Sequence, residues 1–317
     1  MSAQRFSDMR SVFALLFLLL TIPATAQSHR ALITEISGAV TVTRANGSAA
    51  GASWGLQLFD GDMVTTGSGA KAALLYSNGS LLSMAANAEA LVAGAGGSAS
   101  SVDPTLMADV SDMTLHRTGD GEIAALGGLR SGGSEADIDL QYPRQTRTLS
   151  PLPVFAWETW GEFEQYTVTV LSDDGVVWSG TTTTETSLAY PESAPVLDPA
   201  QTYYWRVEGE DMLDVVKSEL IQFQTLSADD AVRIEAAVGN IRSTLGDDAE
   251  SADYVVGSMY AKEGLNAEAI ALFEGIAVRH ADSAMVHEIL GKLYYETGRK
   301  DLAVESLQKA LALSKGQ

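Results

Sequence analysis

The last 65 residues of the chain repeat themselves at an offset of 34. Val256-Gly257-x-x-Tyr260-x-x-x-Gly264 returns as Leu290-Gly291-x-x-Tyr294-x-x-x-Gly298. Ala269-x-x-x-Phe273 returns as Ala303-x-x-x-Leu307, with Ala310 three positions further on. A period in this range marks stacked supersecondary units, each unable to bury its apolar face alone. The small residues at 257, 269, 291 and 303 predict close approach of paired helices, with Tyr260, Phe273, Tyr294 and Leu307 filling the space between them. Two repeats fall short of the roughly three that such a stack needs. A helix over Ala228 to Thr244 is expected to supply the missing half. Ser227 is its N-cap, ahead of Asp229 and Asp230 at the positive helix end.

The repeat resembles the tetratricopeptide (TPR) family. Asp253 and His287 depart from it where a large aromatic opens the pattern, and Ala281 stands at the late proline. The resemblance implies an α-helical array whose first helices hold a peptide or partner helix. Carried onto this chain, the candidate contacts are Asp253, Ser258 and Lys262 in one repeat, and His287, Lys292 and Tyr295 in the next. After Leu311 no polar capping helix is expected, the sequence running on to Ser314-Lys315-Gly316-Gln317, so the open face of the last helix is expected to favour a homodimer or a partner.

The first half of the chain has a different period. Leu32 to Ile36, Val40 to Thr43, and Ala72-x-Leu74-x-Tyr76 alternate as strands do. Asn46-Gly47 and Asn78-Gly79 mark tight turns, and explain two glycosylation-like triplets more simply than modification does. Gly38-x-Val40, Trp54, Leu58, Gly61-Asp62, Thr66-Gly67, Gly69-Ala70, Leu74 and Asn78-Gly79-Ser80 together resemble the FecR-type domain. Asn78 replaces the family's usual Asp there and keeps the turn chemistry. The resemblance implies an all-β periplasmic domain over 27–93. The family's signal relay is not carried over, because the segment ahead of it does not look like the required anti-sigma segment and membrane span. Turn geometry accounts for the motif's glycines and aspartate.

Residues 94–142 are expected to be a linker with additional strands for the first sheet, at Asp109–Leu115, Glu122–Leu126 and Asp137–Tyr142. From 143 to 226, short strands at regular spacing predict a β-sandwich. They include Val154-Phe155-x-Trp157, Tyr166-x-Val168-x-Val170, Tyr203-x-Trp205-x-Val207 and Ile221-x-Phe223. The set resembles immunoglobulin or fibronectin type III-like modules. Its aromatics are read as core, with Trp160 the exception. The acidic set Glu208, Glu210, Asp211 and Asp214 has no EF-hand spacing and is read as a solvated loop.

Residues 1–26 have the form of a signal peptide. Arg5 and Arg10 precede the apolar Val12–Ile22, and Ala24-Thr25-Ala26 offers cleavage after Ala26. The run is shorter than the roughly 20 residues of a membrane span, so no stable span is expected after cleavage. The expected location is periplasmic or secreted. The chain carries 20 Lys+Arg against 41 Asp+Glu, a net −21, which disfavours nucleic acid. Residues 151–226 hold two of the basic and thirteen of the acidic residues. The absence of cysteine excludes disulfides, thiolate metal sites and cysteine nucleophiles. The four histidines are scattered, and no hydrolase or phosphate-loop motif occurs. No catalytic, cofactor or metal residues are expected.

The resulting expectation is a multidomain chain, β then α: signal 1–26, FecR-like β domain 27–93, linker 94–142, β-sandwich 143–226, and helical repeats 227–317. The expected function is a non-enzymatic exported scaffold of the bacterial cell envelope that binds a protein or peptide through its repeats. The alternative is an envelope sensor binding a glycan or small molecule through its β domains.

Overall fold

The structure, a computed structural model, describes residues 29–93, 100–101, 138–161, 163–212, 214–246 and 250–315. The expected signal, most of the glycine-rich stretch from Gly94, and the expected strands at Asp109–Leu115 and Glu122–Leu126 lie outside these residues. The chain is β-rich over its first two thirds and ends in a block of five helices.

The first unit contains β1 (Ala31–Ser37), β2 (Val40–Thr43), β3 (Ala49–Gly51), β4 (Gln57–Leu58), β5 (Met63–Thr66), β6 (Lys71–Tyr76), β7 (Ser80–Met84), β8 (Glu89–Leu91) and β9 (Ser100–Ser101). They form two sheets, ordered β4-β1-β6-β7-β9 and β3-β2-β5-β8. Ala31, Ile33, Val42, Leu58, Val64 and Leu74 meet in the core between them. Both Asn-Gly turns form: the Ser48 and Ser80 backbone N–H groups donate to the Asn46 and Asn78 side chains at 2.9 and 3.0 Å. The Asp62 carboxylate is buried and accepts from Phe59 N and from Arg44, so the Gly61-Asp62 motif ties loops together.

β1 and β6 are buried on both faces. Successive strand residues point to opposite sides, so Ala31, Ile33 and Leu74 enter the unit's own core. Leu32 and its cross-strand partner Leu75 join a second core, built mostly from helices.

The second unit comprises β10 (Ile138–Tyr142), β11 (Thr146–Thr148), β12 (Val154–Thr159), β13 (Gln165–Ser172), β14 (Gly175–Thr182), β15 (Ser187–Ala189), β16 (Tyr203–Glu210), β17 (Val215–Lys217) and β18 (Ile221–Thr225). One sheet runs β10-β12-β15. The other runs β11-β18-β16-β13-β14, with β17 against β16. Phe155 stands centrally in the shared core, with Trp205, Phe223, Trp178 and Tyr190 at ring distances of 4.9 to 6.4 Å. Trp205 Nε1 donates to Pro143 O at 2.6 Å.

β10 departs from expectation. It pairs with β12 in the second unit and adds nothing to the first sheet, so this unit begins no later than Ile138. The physical cause is local. Ile138 and Leu140, two apart and on one face, bury their side chains in the second core.

The helices are α1 (Ala228–Leu245), α2 (Glu250–Lys262), α3 (Asn266–Arg279), α4 (Ala284–Glu296) and α5 (Lys300–Lys315). Ser227 caps α1 by accepting from Asp230 N, and Ser283 caps α4 by accepting from Val286 N.

Candidate interaction surface

The positions 34 apart do the same packing work. A Cβ at Gly257 would stand 2.9 Å from the Phe273 ring, and one at Gly291 would stand 2.5 Å from Leu307 Cγ. Within each helix pair a glycine on the first helix thus receives a large side chain from the second. Gly264 and Gly298 then turn the chain at φ +74° and +75°, a conformation L side chains rarely adopt.

Both turns rest on the second unit. Arg147 N donates to Gly264 O at 2.8 Å, and Asn266 Nδ2 donates to Gln145 O at 3.0 Å. Arg144 Nε donates to Thr297 O at 2.9 Å, and Arg299 Nη2 donates to Gln141 O at 3.1 Å. Two equivalent repeat turns therefore read one short stretch of chain, residues 141–147.

The opposite ends of the helices hold the first unit. Trp54 is 1 % exposed, stands edge-on to Tyr254 with ring centroids 5.5 Å apart, and stacks on His280 at 5.7 Å. Its carbonyl accepts from Ser283 Oγ at 2.7 Å, and its indole N–H donates to Thr34 O at 2.8 Å. Thr34 and Ser251 share a buried hydroxyl pair at 2.7 Å. Burying a tryptophan this fully removes some 150–250 Å² from water, so this seam is a core and not a loose domain contact.

The six candidate contacts do not share one exposed face. Ser258 is buried and its hydroxyl donates to Tyr254 O at 2.8 Å inside its own helix. His287 is buried with Nε2 3.0 Å from Ala281 O, and burial lowers its pKa. Asp253 binds Arg242 and Arg279, both at 3.2 Å, as part of a network that includes Glu250 and His280. Lys262 is exposed, Lys292 pairs with Glu288 at 2.9 Å, and Tyr295 is half exposed. The difference between the repeats has a cause. α1, α3 and β1 pack against α2, while α4 is flanked by α3 and α5. Of the six, Lys262 on α2 and Lys292 and Tyr295 on α4 keep solvent access, and on α4 Glu288, Lys292 and Tyr295, spaced at i, i+4 and i+7, share one helix face.

Sequence reasoning placed Trp54 and His280 in separate modules and missed their contact. The available signal was the apolar character of both faces of β1 and β6, since a sheet with one solvated face alternates cleanly. α3 carries a second feature not foreseen. The Glu268 carboxyl is raised in pKa by burial, and its Oε2 has no hydrogen-bond partner among the described residues. The same helix lines a groove of about 220 Å³ with Tyr142, Arg144, Ile270, Glu274 and Arg299. In the acidic loop, Asp211 Oδ1 accepts from Asp214 N, and Glu208 binds Lys217 and Arg206. Trp160 is 70 % exposed.

Among the described residues no helix is long and apolar enough to cross a membrane. No family model and no curated protein matches the chain. A solved structure described as a cell surface anchoring domain is similar over 20 % of this chain and 86 % of its own, at 23 % identity and a TM-score of 0.20. A likeness of that size sets no expectation for this chain.

Proposed function

We propose that the protein is a non-enzymatic, exported scaffold of the bacterial cell envelope, in which TPR-like repeats present a binding face for a protein or peptide. In this reading the first unit is FecR-like and the second is an immunoglobulin or fibronectin III-like sandwich. The observation that carries it is the packing of the two repeats. Glycine against a large side chain recurs at an offset of 34, and on α4 the paired Glu288 and Lys292 are partly exposed beside the exposed Tyr295. The β units then act as end supports that hold the helix pairs in fixed register.

The test uses the whole mature chain, because cutting after Leu226 would expose Trp54, Leu32 and Leu75 and make the fragment adhesive. Partners cross-linked in the envelope are compared between the wild type and a K292Q/Y295A double variant, which removes the cation and the ring without placing a third carboxylate beside Glu288 and Glu296. Lys292 is partly and Tyr295 half exposed, and an i,i+4 ion pair on a helix surface is worth about 0.3–0.5 kcal/mol, so the melting temperature is expected to shift little while bound partner falls at least tenfold, the effect of removing about 1.4 kcal/mol or more. Undiminished binding by the double variant would sink the reading. The sensor alternative has one supporting observation, the exposed Trp160. Titration of the chain with peptidoglycan fragments would show a rise in thermal stability on that alternative and none for a scaffold.

A further inference from the structure

The six-stranded sheet of the second unit ends differently on its two sides. One outer strand, β11, is covered: the helix turn at Gly264 accepts its Arg147 N–H. The other outer strand, β14, has β13 on one side, and no other backbone group among the described residues bonds to it. A bare strand edge is a row of unpaired N–H and C=O groups, which proteins normally blunt by shortness, charge, proline, bulges or cover. The remaining outer strands follow that rule. β3, β4, β8, β9 and β15 have two or three residues each, and β10 carries Asp139 and is met by Arg299. β14 is eight residues long, and its one bulge, at Val177, lies near its start and leaves Trp178–Thr182 in regular register with β13. From Gly175 to Thr184 the sequence is GVVWSGTTTT, without a charge or a proline.

The edge is also held in shape. Trp178 roots β14 in the core, stacking on Phe155 at 6.2 Å and standing edge-on to Tyr190 at 5.1 Å. A Cβ at Gly180 would fall 2.4 Å from that indole, so glycine lets the ring lie flat under the strand. Ser179 and Thr181 face solvent. A preformed strand of this kind binds without the ordering cost of a flexible segment.

Charge selects what can lie beside it. Exposed Asp173 and Asp174 precede the strand and exposed Glu185 follows it. The two basic residues of 151–226, Arg206 and Lys217, are both bound to Glu208. A second copy in full overlap is disfavoured: antiparallel pairing centred between Ser179 and Gly180 sets Asp174 of each copy opposite Glu185 of the other. Parallel pairing sets the aspartates against themselves. Like charges directly opposite are destabilising.

We propose that β14 is a docking edge for an extended segment of a protein partner, uncharged in its middle and bearing Lys or Arg at both ends. The segment adds a strand to the sheet, with main-chain hydrogen bonds supplying affinity and the terminal cations supplying selectivity. This site lies on a different unit from the α4 face and stands or falls independently of it.

The test is amide hydrogen exchange of the full chain with synthetic peptides. The probe is a twelve-residue peptide, Lys-(Val-Thr)5-Lys, long enough to set one Lys near Asp174 and the other near Glu185, compared with a Glu-flanked counterpart and a Lys-flanked version carrying proline at its centre. The Lys-flanked peptide is expected to slow exchange of alternate amides in 178–182, the regular part of the strand. It should bind about tenfold more tightly than the Glu-flanked one at low salt, and the proline version should not protect. A D173N/D174N/E185Q variant, altered only at exposed positions, should keep the protection and lose the preference for cations. The proposal is overturned by absence of protection at millimolar peptide, by equal binding of both peptides to the wild type, or by protection that grows with protein concentration alone. The last outcome would assign the edge to a second copy.

Discussion

His287 shows how a candidate contact becomes a structural residue. Its position in the repeat marks it for a partner, yet the ring is buried and donor-acceptor matched to the Ala281 carbonyl. Burial is the largest influence on its pKa and lowers it from near 6.5; Lys309 acts in the same direction, and the carbonyl opposes both. His29 is lowered by burial too. A base whose folded pKa is depressed contributes stability that is complete above its unfolded pKa. As pH falls below about 6.5 the unfolded chain takes up the proton first, and stability declines until the folded pKa is reached. Glu268 has the opposite sign, its contribution being lost as pH rises through its raised folded value. Denaturant unfolding of the wild type should therefore show stability falling on acidification from 6.5, by at most about 1.4 kcal/mol per pH unit for each histidine. H287Q should have a shallower slope over that interval. An unchanged slope would mean that the imidazole is not held neutral by the fold.

At the scale of elements, spacing in the sequence was a good guide wherever the interaction is local. The Ser227 cap, both Asn-Gly turns and the close contacts at Gly257 and Gly291 depend on residues near one another in the chain, or on one helix pair. Glycine in a helix otherwise costs about 0.5–1 kcal/mol relative to alanine, which yields a paired prediction. G239A, in exposed α1 with nothing within 4 Å of the new Cβ, should stabilise the protein by about that amount. G291A should destabilise it by about 1–3 kcal/mol, because Leu307 and the Ala303 carbonyl occupy the space. L307A alone should cost about 2–5 kcal/mol, the G291A/L307A pair should cost less than the sum of the two, and urea unfolding of the four proteins measures the coupling. Strict additivity would mean that the two side chains do not compete. The outer edge of β14 belongs to this scale as well. Its uncharged composition was visible in the sequence, but which strand ends the sheet was not, because strand order is a property of the assembled unit.

For the whole molecule, the helical core runs through Trp54, Leu32 and Leu75, so the first unit and the repeats share one hydrophobic cluster. W54A should cost about 3–5 kcal/mol, and the loss should appear in the helix signal by circular dichroism even though the substitution is in a β unit. A helix transition with an unshifted midpoint would show that the units melt independently. The sequence alone determined the β-then-α order, the repeat period, the positions of turns and caps, and the uneven distribution of charge. Each of these follows from neighbours along the chain or from a fixed periodicity. Tertiary structure decided which strand closes each sheet, that β10 belongs to the second unit, and which repeat positions are covered. It also brought residues as distant as Trp54 and His280 into ring contact. Side-chain spacing says which face is apolar, and only the assembled chain says which apolar face meets it.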